Sequence, residues 1–386
     1  MALLHKAGLP RRLAAVAVTV AAAVLAVAGT LTPALAATPT AANSPSMMVN
    51  GADLNIAVQG PNNSLLFYWA VNGTSTWHTV TVAGAGTTFS APSMAVDGGG
   101  VIIAAQGPNN SLMFYWTFNP ASSWNPEPVA GAATTFSAPS VATDNHSIDI
   151  VAQGPGGTMY SYYQVDGSST WTTQLVGGSL TSPGASSAPA VVMAGGLVNV
   201  AVQTNSYDLA FYSQPIGGAQ DTWHGQGLAE GVSPPSITAT GNAINISTTS
   251  ISGGVRFYWA YFGSVEWTTE TVVSTGIYTL TSIATDSSTN AAIIAATEYG
   301  GQLDFFSAVY GTGSWQHELV SGANTVESKS VPPPAPAIIP DSVNGYNDVD
   351  ISAVTPGGQL LLDFSAFRSG TWYSEAVPGN GMVGRL

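Results

Sequence analysis

Internal repetition is the feature that most restricts how this chain can fold. Seven segments each end in a tryptophan followed by a short, strand-like stretch. The seven closing tryptophans are Trp77, Trp124, Trp171, Trp223, Trp267, Trp315 and Trp372. They follow one another at intervals of 47, 47, 52, 44, 48 and 57 residues. A period of about 40 to 50 residues with several short strands per unit is typical of a propeller blade. Seven units with no half-unit left over predict an all-β, seven-bladed β-propeller closed into a ring.

Each unit divides into four short strands separated by Gly-, Pro- and Asn-rich turns. In the second unit the strands are predicted over 92–96, 101–106, 111–118 and 124–129. Tight turns between consecutive strands give four-stranded antiparallel blades. The second strand is apolar at nearly every position, which is the pattern of a strand covered on both faces. Its alanines predict a crowded place near the axis. The pattern leaves open which strand is innermost and whether the N-terminal segment completes the last blade.

The N-terminal segment has the organisation of an export signal. Three basic residues precede an apolar run over 13–27, and Ala-Leu-Ala at 34–36 offers the small residues that a signal peptidase reads. We therefore predict a signal peptide over 1–36, a flexible lead-in over 37–43 and the propeller over 44–382. No later stretch reaches about 18 consecutive apolar residues. These features predict a secreted, extracellular protein that does not insert into membranes.

Composition excludes several classes of function. The chain has no cysteine, which removes thiol catalysis, thiolate metal sites and disulfides. Only 7% of the residues are charged, far below the usual quarter or so. Without the leader, four basic residues face 21 acidic ones, a formal charge of −17. Such a surface repels nucleic acid, anionic lipid and sulfated polysaccharide, so neutral or weakly charged ligands fit better.

Aromatic residues of the third strand are the first candidates for ligand binding. They are Trp69, Trp116 and Trp259, with the neighbouring Tyr68 and Tyr115. Sugar rings stack their C–H patches on aromatic faces, and sites repeated around a ring give avidity. Because successive side chains of a strand alternate, Tyr68 is predicted to face one neighbouring blade while Trp69 faces the other. The alternative is packing between blades, which we favour for the closing tryptophans and leave open for these three.

Polar residues of the turn between the second and third strands are the second set of candidates. They are Gln59, Gln106, Asn63 and Asn110, which lie in Gln-Gly-Pro-Asn-Asn-Ser segments and offer hydrogen bonds to sugar hydroxyls. An ordinary turn role is the favoured alternative for the asparagines. Some units depart from the pattern. Ser213, Ser307 and Ser365 are aligned with the third-strand tryptophan, and Thr249, Thr297 and Thr355 with the glutamine.

Nothing in the sequence predicts catalysis. Glycoside hydrolysis needs two opposed carboxylates, whereas Asp97, Asp144 and Asp286 occupy turn positions that suit capping. After the leader, the histidines fall in four different units with no metal-binding spacing. We therefore predict no enzyme activity, no metal and no cofactor.

The layout resembles the PLL-type lectins, which are bacterial fucose-binding lectins with seven-bladed propellers. The similar positions are Pro92, Gly107, 112–116 and Trp124, with counterparts in most units over about 44–382. The resemblance implies binding of fucose or related sugars at several sites between blades. A secreted, multivalent lectin whose partners are glycans or glycoconjugates is thus the favoured function. A propeller for protein–protein contact or surface attachment is the main alternative, and a secreted glycosidase or lyase the third.

Overall fold

The chain forms a seven-bladed propeller. The computed structural model describes residues 44–71, 74–177, 184–286, 290–310, 312–328, 336–341 and 348–377. These residues form seven four-stranded antiparallel sheets, each made of four strands consecutive in the chain. The predicted fold class is confirmed. The predicted signal peptide and lead-in lie outside the described residues and stay predictions. Within the described part, no helix is long and apolar enough to cross a membrane.

The strands follow one another regularly from blade to blade. In blades 1 to 4 they are β1 (Ser46–Asn50), β2 (Asp53–Gly60), β3 (Ser64–Val71), β4 (His78–Ala83); β5 (Ser93–Asp97), β6 (Gly100–Gly107), β7 (Ser111–Thr117), β8 (Asn125–Ala130); β9 (Ser140–Thr143), β10 (Ser147–Gln153), β11 (Met159–Val165), β12 (Thr172–Leu175); β13 (Ala190–Ala194), β14 (Leu197–Gln203), β15 (Asp208–Pro215) and β16 (His224–Glu230). In blades 5 to 7 they are β17 (Ser236–Thr240), β18 (Ala243–Thr249), β19 (Val255–Tyr261), β20 (Thr268–Val273); β21 (Tyr278–Asp286), β22 (Ala291–Glu298), β23 (Leu303–Val309), β24 (Gln316–Ser321); β25 (Ala337–Asp341), β26 (Asp348–Val354), β27 (Leu360–Ala366) and β28 (Tyr373–Ala376). Strands β5 to β8 agree with the strands predicted for the second unit to within one residue at each end.

The first strand of each blade is innermost and lines the axis. These seven strands contact one another in a closed ring, with β1 touching β25. They border an axial cavity of about 330 Å³. Four of their serines accept a hydrogen bond from a backbone N–H of the next blade's first strand, as Ser46 does from Met94 at 3.0 Å. Because every blade is made of four consecutive strands, the ring closes without any blade borrowing a strand from another part of the chain. The second strands, which carry the recurrent alanines, lie next to this inner ring of strands.

The hydrophobic core lies in the seams between blades. In the described residues each seam holds its own cluster of buried side chains. The predicted alternation on β3 is confirmed, because Tyr68 packs toward blade 7 while Phe67 and Trp69 pack toward blade 2. Phe67 is fully buried, and burying such a side chain contributes about 1.5–3 kcal/mol. The second strands are covered on both faces, which explains how the chain tolerates so few charges.

Strand pairing in blade 7 corrects the sequence alignment by one residue. Val354, rather than Thr355, pairs at the position of the recurrent glutamine. By the same register Phe364, rather than Ser365, takes the position of the third-strand tryptophan. Blade 7 therefore keeps an aromatic ring at this position, stacked on Tyr373 with centroids 5.7 Å apart.

Candidate functional site

The closing tryptophan of a blade packs against the third strand of the preceding blade. Five such pairs have ring centroids 4.8 to 5.3 Å apart in edge-to-face or tilted geometry. They are Trp124–Phe67, Trp171–Phe114, Trp267–Phe211, Trp315–Phe257 and Trp372–Phe305. Such pairs contribute about 0.5–1.5 kcal/mol beyond the area they bury. The predicted packing role of the closing tryptophans is confirmed for these five.

A recurrent glutamate, which the sequence reasoning missed, binds the indole N–H of several closing tryptophans. The glutamate lies on the fourth strand of the preceding blade and accepts the bond at 2.7 to 3.1 Å. The pairs are Trp77–Glu375, Trp171–Glu127, Trp315–Glu270 and Trp372–Glu318. Each glutamate stands three residues after the closing tryptophan of its own blade. A repeated Trp-x-x-Glu was therefore the available signal.

Three seams lack this glutamate and leave an indole N–H unpaired. The glutamate position holds Val80, Gln174 and Gln226 in blades 1, 3 and 4. The closing tryptophans that follow these residues are Trp124, Trp223 and Trp267. Their indole nitrogens are buried without a hydrogen-bond partner. Such atoms are rare in folded proteins and point to a water or a ligand at the site.

The seam between blades 2 and 3 opens into a crevice of about 530 Å³, the blade 2/3 crevice. Trp116 and Phe118 form one wall, with ring centroids 5.9 Å apart and planes at 73°. Trp116 is half-buried, whereas Phe118 is 72% exposed. The crevice therefore presents aromatic faces at its mouth, where a flat ligand can stack.

Carboxylates supply the polar part of the blade 2/3 crevice. Glu127 accepts hydrogen bonds from Trp171 Nε1 at 2.7 Å and Gln164 Nε2 at 3.1 Å. Asp97 and Asp166 also line the crevice. Partial burial raises the pKa of Asp166, and the nearby Asp97 carboxylate raises it further. No lysine or arginine is among the described residues that line this space. The crevice is thus negative and rich in acceptors, which suits a ligand that donates hydrogen bonds.

Trp69 and Trp259 occupy the register of Trp116 in blades 1 and 5. Both are half-buried. Trp69 stacks on His78, with centroids 5.1 Å apart and planes at 24°. Trp259 donates its indole N–H to Glu270 at 3.3 Å and lies edge-on to Tyr261. Each of the three predicted tryptophans therefore keeps part of its surface open at a seam.

The two predicted tyrosines lie elsewhere. Tyr68 is 1% and Tyr115 3% exposed, and both point to the blade face opposite the neighbouring tryptophan. Burial raises the pKa of both phenols. The structure does not bring Tyr115 into the blade 2/3 crevice.

The predicted glutamines and asparagines lie at the linkers between blades. Gln59 is fully buried, and its amide donates to the carbonyl of Thr88 at 2.6 Å and to Asn63 Oδ1 at 3.0 Å. Gln106 makes the same pair of bonds, which includes one to Asn110 Oδ1 at 3.1 Å. Both asparagines have φ 58°, a left-handed conformation that asparagine tolerates. The predicted turn role of the asparagines is confirmed, and none of the four residues lines the blade 2/3 crevice.

Two aspartates outside the blade 2/3 crevice have structural roles. Asp144 Oδ1 accepts hydrogen bonds from the backbone N–H groups of His146 and Ser147, the capping role predicted for it. Asp149 is completely buried, which raises its pKa to about 7, and it accepts the Ser161 hydroxyl at 2.9 Å. In the described part of the chain no three His, Asp or Glu side chains are placed to hold a metal ion.

Comparison with solved structures relates this fold to known propellers. No protein-family model and no curated protein matches the sequence. The BP39L lectin from Burkholderia pseudomallei superposes with a TM-score of 0.72 at 16% identity, over 88% of this chain and 100% of that one. The fucose-specific lectin from Aleuria aurantia gives 0.53 at 12% identity, over 88% and 98%. A prolyl endopeptidase gives 0.53 at 11% identity, over 88% of this chain but 50% of the enzyme.

The fold is thus shared with lectins and also with the propeller part of a larger enzyme. At these identities the likeness concerns the backbone arrangement alone. This chain has the fold of the seven-bladed propeller lectins that its repeats resemble.

Proposed function

We propose that this protein is a secreted lectin that binds neutral sugars, fucose among them, in crevices between its blades and catalyses no reaction. The observation that carries the proposal is the blade 2/3 crevice, where Trp116 and Phe118 present ring faces beside carboxylate acceptors. Two of the structures with similar folds are lectins, one of them fucose-specific. The leader-like sequence over 1–36 supports secretion.

The chemistry of the crevice favours a neutral, hydroxyl-rich ring. One face of a pyranose presents C–H groups that stack on Trp116, while its hydroxyls donate to Asp97, Glu127 or Asp166. A hydrogen bond to a charged acceptor contributes about 1.5–3 kcal/mol. Acidic sugars are disfavoured because the whole chain carries 21 acidic against 7 basic residues.

Repetition supports a multivalent mode of binding. Trp69, Trp116 and Trp259 hold the same register in three blades, and each stays partly exposed. Weak sites arranged around one rigid ring bind a surface that displays many sugars far more tightly than each site alone.

A glycan array with the purified secreted protein and three variants tests the proposal. Trp116→Ala and Phe118→Ala are expected to weaken binding to neutral sugars, because each removes one ring of the blade 2/3 crevice. Tyr299→Ala is the matched control, since Tyr299 is 60% exposed and lines neither the blade 2/3 crevice nor a second crevice, between blades 4 and 5, that is described below. Equal binding by all four proteins would contradict the proposal. If the protein binds no neutral sugar on the array, that result would instead favour a function in protein–protein contact.

A further inference from the structure

A second crevice occupies the same place in the repeat, between blades 4 and 5. This blade 4/5 crevice has a volume of about 740 Å³. Ser213 stands in it at the register of Trp116, since Ser213 pairs with Asn199 as Trp116 pairs with Ile102. The small serine leaves open the space that an indole ring occupies in blade 2.

The carboxylates of the blade 2/3 crevice have no counterpart in this second crevice. The strand register places neutral residues at all three positions. Glu127 is replaced by Gln226, Asp166 by Phe262 and Asp97 by Ala194. Among the described residues that line the blade 4/5 crevice there is no carboxylate, lysine or arginine. The two crevices therefore differ in charge and in hydrogen-bonding character.

An unpaired donor takes the place of the missing acceptors. Trp267 lines the blade 4/5 crevice, and its indole N–H is buried without a partner. The equivalent Trp171 donates to Glu127 at 2.7 Å. Gln226, at the position of Glu127, instead donates its amide to the carbonyl of Val265 at 2.7 Å. Because an unsatisfied buried N–H is costly, a ligand oxygen that reaches Trp267 gains a bond that the free protein lacks.

Rigid apolar walls stand beside this donor. Phe211 packs edge-to-face on Trp267, with centroids 4.8 Å apart. Phe262 lies against Gly195 of the opposite blade so closely that a Cβ at Gly195 would fall 2.5 Å from the phenyl ring. Gly195 also has φ +64°, which favours glycine. Aromatic rings packed across the seam therefore form the part of the crevice wall next to Trp267.

We propose that the blade 4/5 crevice binds an N-acetylated hexosamine. The acetamido oxygen accepts the Trp267 N–H, the acetamido methyl lies against Phe262, and the pyranose fills the space beside Ser213. An acidic sugar is disfavoured, because none of the described lining residues is a lysine or arginine that could pair with its carboxylate. The inference rests on the proposed function in treating the seams as sugar sites. It adds that two seams recognise chemically different sugars.

The indole N–H resonances of ¹⁵N-labelled protein give a direct test. The chain has ten tryptophans, and the spectrum of Trp267→Phe assigns the resonance of Trp267. Titration with methyl N-acetyl-glucosaminide is expected to shift the Trp267 resonance and to leave that of Trp171 in place. Methyl glucoside, which lacks the acetamido group, is expected to leave the Trp267 resonance unchanged.

Two variants change the site in different ways. Trp267→Phe keeps a ring against Phe211 but removes the donor, and is expected to weaken binding of the N-acetyl sugar about 3- to 10-fold. Ser213→Trp copies the residue found at this register in three other blades, and is expected to abolish binding by filling the crevice. Tyr299→Ala is the control for both.

The outcomes separate the two proposals. If Trp267→Phe and Ser213→Trp, each with an unchanged melting temperature, bind the N-acetyl sugar as well as the original protein, the blade 4/5 inference is overturned. Methyl fucoside binding that is weakened in Trp116→Ala would then still support the proposed function. If no sugar binds at either crevice, both proposals fail.

Discussion

Glu270 holds two indole N–H groups at once, so its replacement measures what the glutamate contributes to a seam. Oε1 accepts from Trp259 at 3.3 Å and Oε2 from Trp315 at 3.0 Å. Glu270→Gln keeps the length of the side chain but turns one acceptor oxygen into a donor. One indole then loses its partner, and the other bonds a neutral oxygen in place of a charged one.

The structure sets the size of the effect. An N–H left unsatisfied in a buried place costs about 1–3 kcal/mol, and a neutral acceptor is roughly half as strong as a charged one. Trp259 is half-buried and can recover part of the loss from water. We therefore expect the free energy of unfolding to fall by about 1–3 kcal/mol for Glu270→Gln.

Urea unfolding at pH 7, followed by tryptophan fluorescence, measures this change. Glu266→Gln is the matched control, because Glu266 is exposed and its removal deletes the same charge four residues away. Surface changes of that kind usually stay within about 0.5 kcal/mol. If the two variants unfold at the same urea concentration, the glutamate contributes nothing to the seam and the reasoning is refuted.

Three further predictions concern packing, titration and the unpaired indoles. Trp124→Ala is expected to lower the free energy of unfolding by about 3 kcal/mol, because it leaves a void against the third strand of blade 1. Trp116→Ala should instead weaken sugar binding with little change in melting temperature. If both variants are destabilised equally, Trp116 is not part of the binding site. Burial raises the pKa of Asp149 from 3.8 to about 7, so the folded state binds this proton more tightly than the unfolded state and stability falls as pH rises from about 4 to 7. Asp149→Asn copies the asparagine found at the same position in blades 1, 4 and 5. It should raise the free energy of unfolding at pH 8 but not at pH 4. No gain at pH 8 would show that burying the charged Asp149 carboxylate does not destabilise the folded state. Val80→Glu supplies the missing acceptor for the Trp124 indole N–H and should stabilise the protein by about 1 kcal/mol. Calorimetry would detect this gain. Its absence would contradict the cost assigned to the unpaired N–H.

Most of the fold could be predicted from local sequence features. Turn residues at fixed offsets and the closing tryptophans repeat within each unit, so strands β5 to β8 were placed to within one residue. The alternation of β3 was predictable because side chains of a strand point to opposite faces whatever surrounds them. Blade 7 was misaligned by one residue because its third strand departs from the Phe-Tyr-Trp pattern, and only the pairing of Val354 with Leu360 fixes the register there.

The candidate site was less accessible because it forms across seams. Glu127 and Trp171 are 44 residues apart in sequence, and their hydrogen bond exists only because consecutive blades pack face to face. The indole N–H of Trp267 is likewise unpaired because of a residue in the preceding blade, where Gln226 replaces the glutamate found in other seams. Gln59 looked like a ligand contact because its side chain is polar and recurrent, but its neighbour in the fold is a linker carbonyl that lies 29 residues further on.

Closure of the ring without strand exchange has a consequence for where the chain can begin. Every blade contains its own four strands, so the junction between blades 7 and 1 is a seam like the other six and is held by side chains such as Trp77 and Glu375. Between the first two blades, a short linker over residues 84–92 joins the outer strand β4 to the inner strand β5. A linker of that length between residues 377 and 44 would make the molecule circular in topology. New termini could then be opened at any other linker, and circularly permuted chains should close into the same propeller.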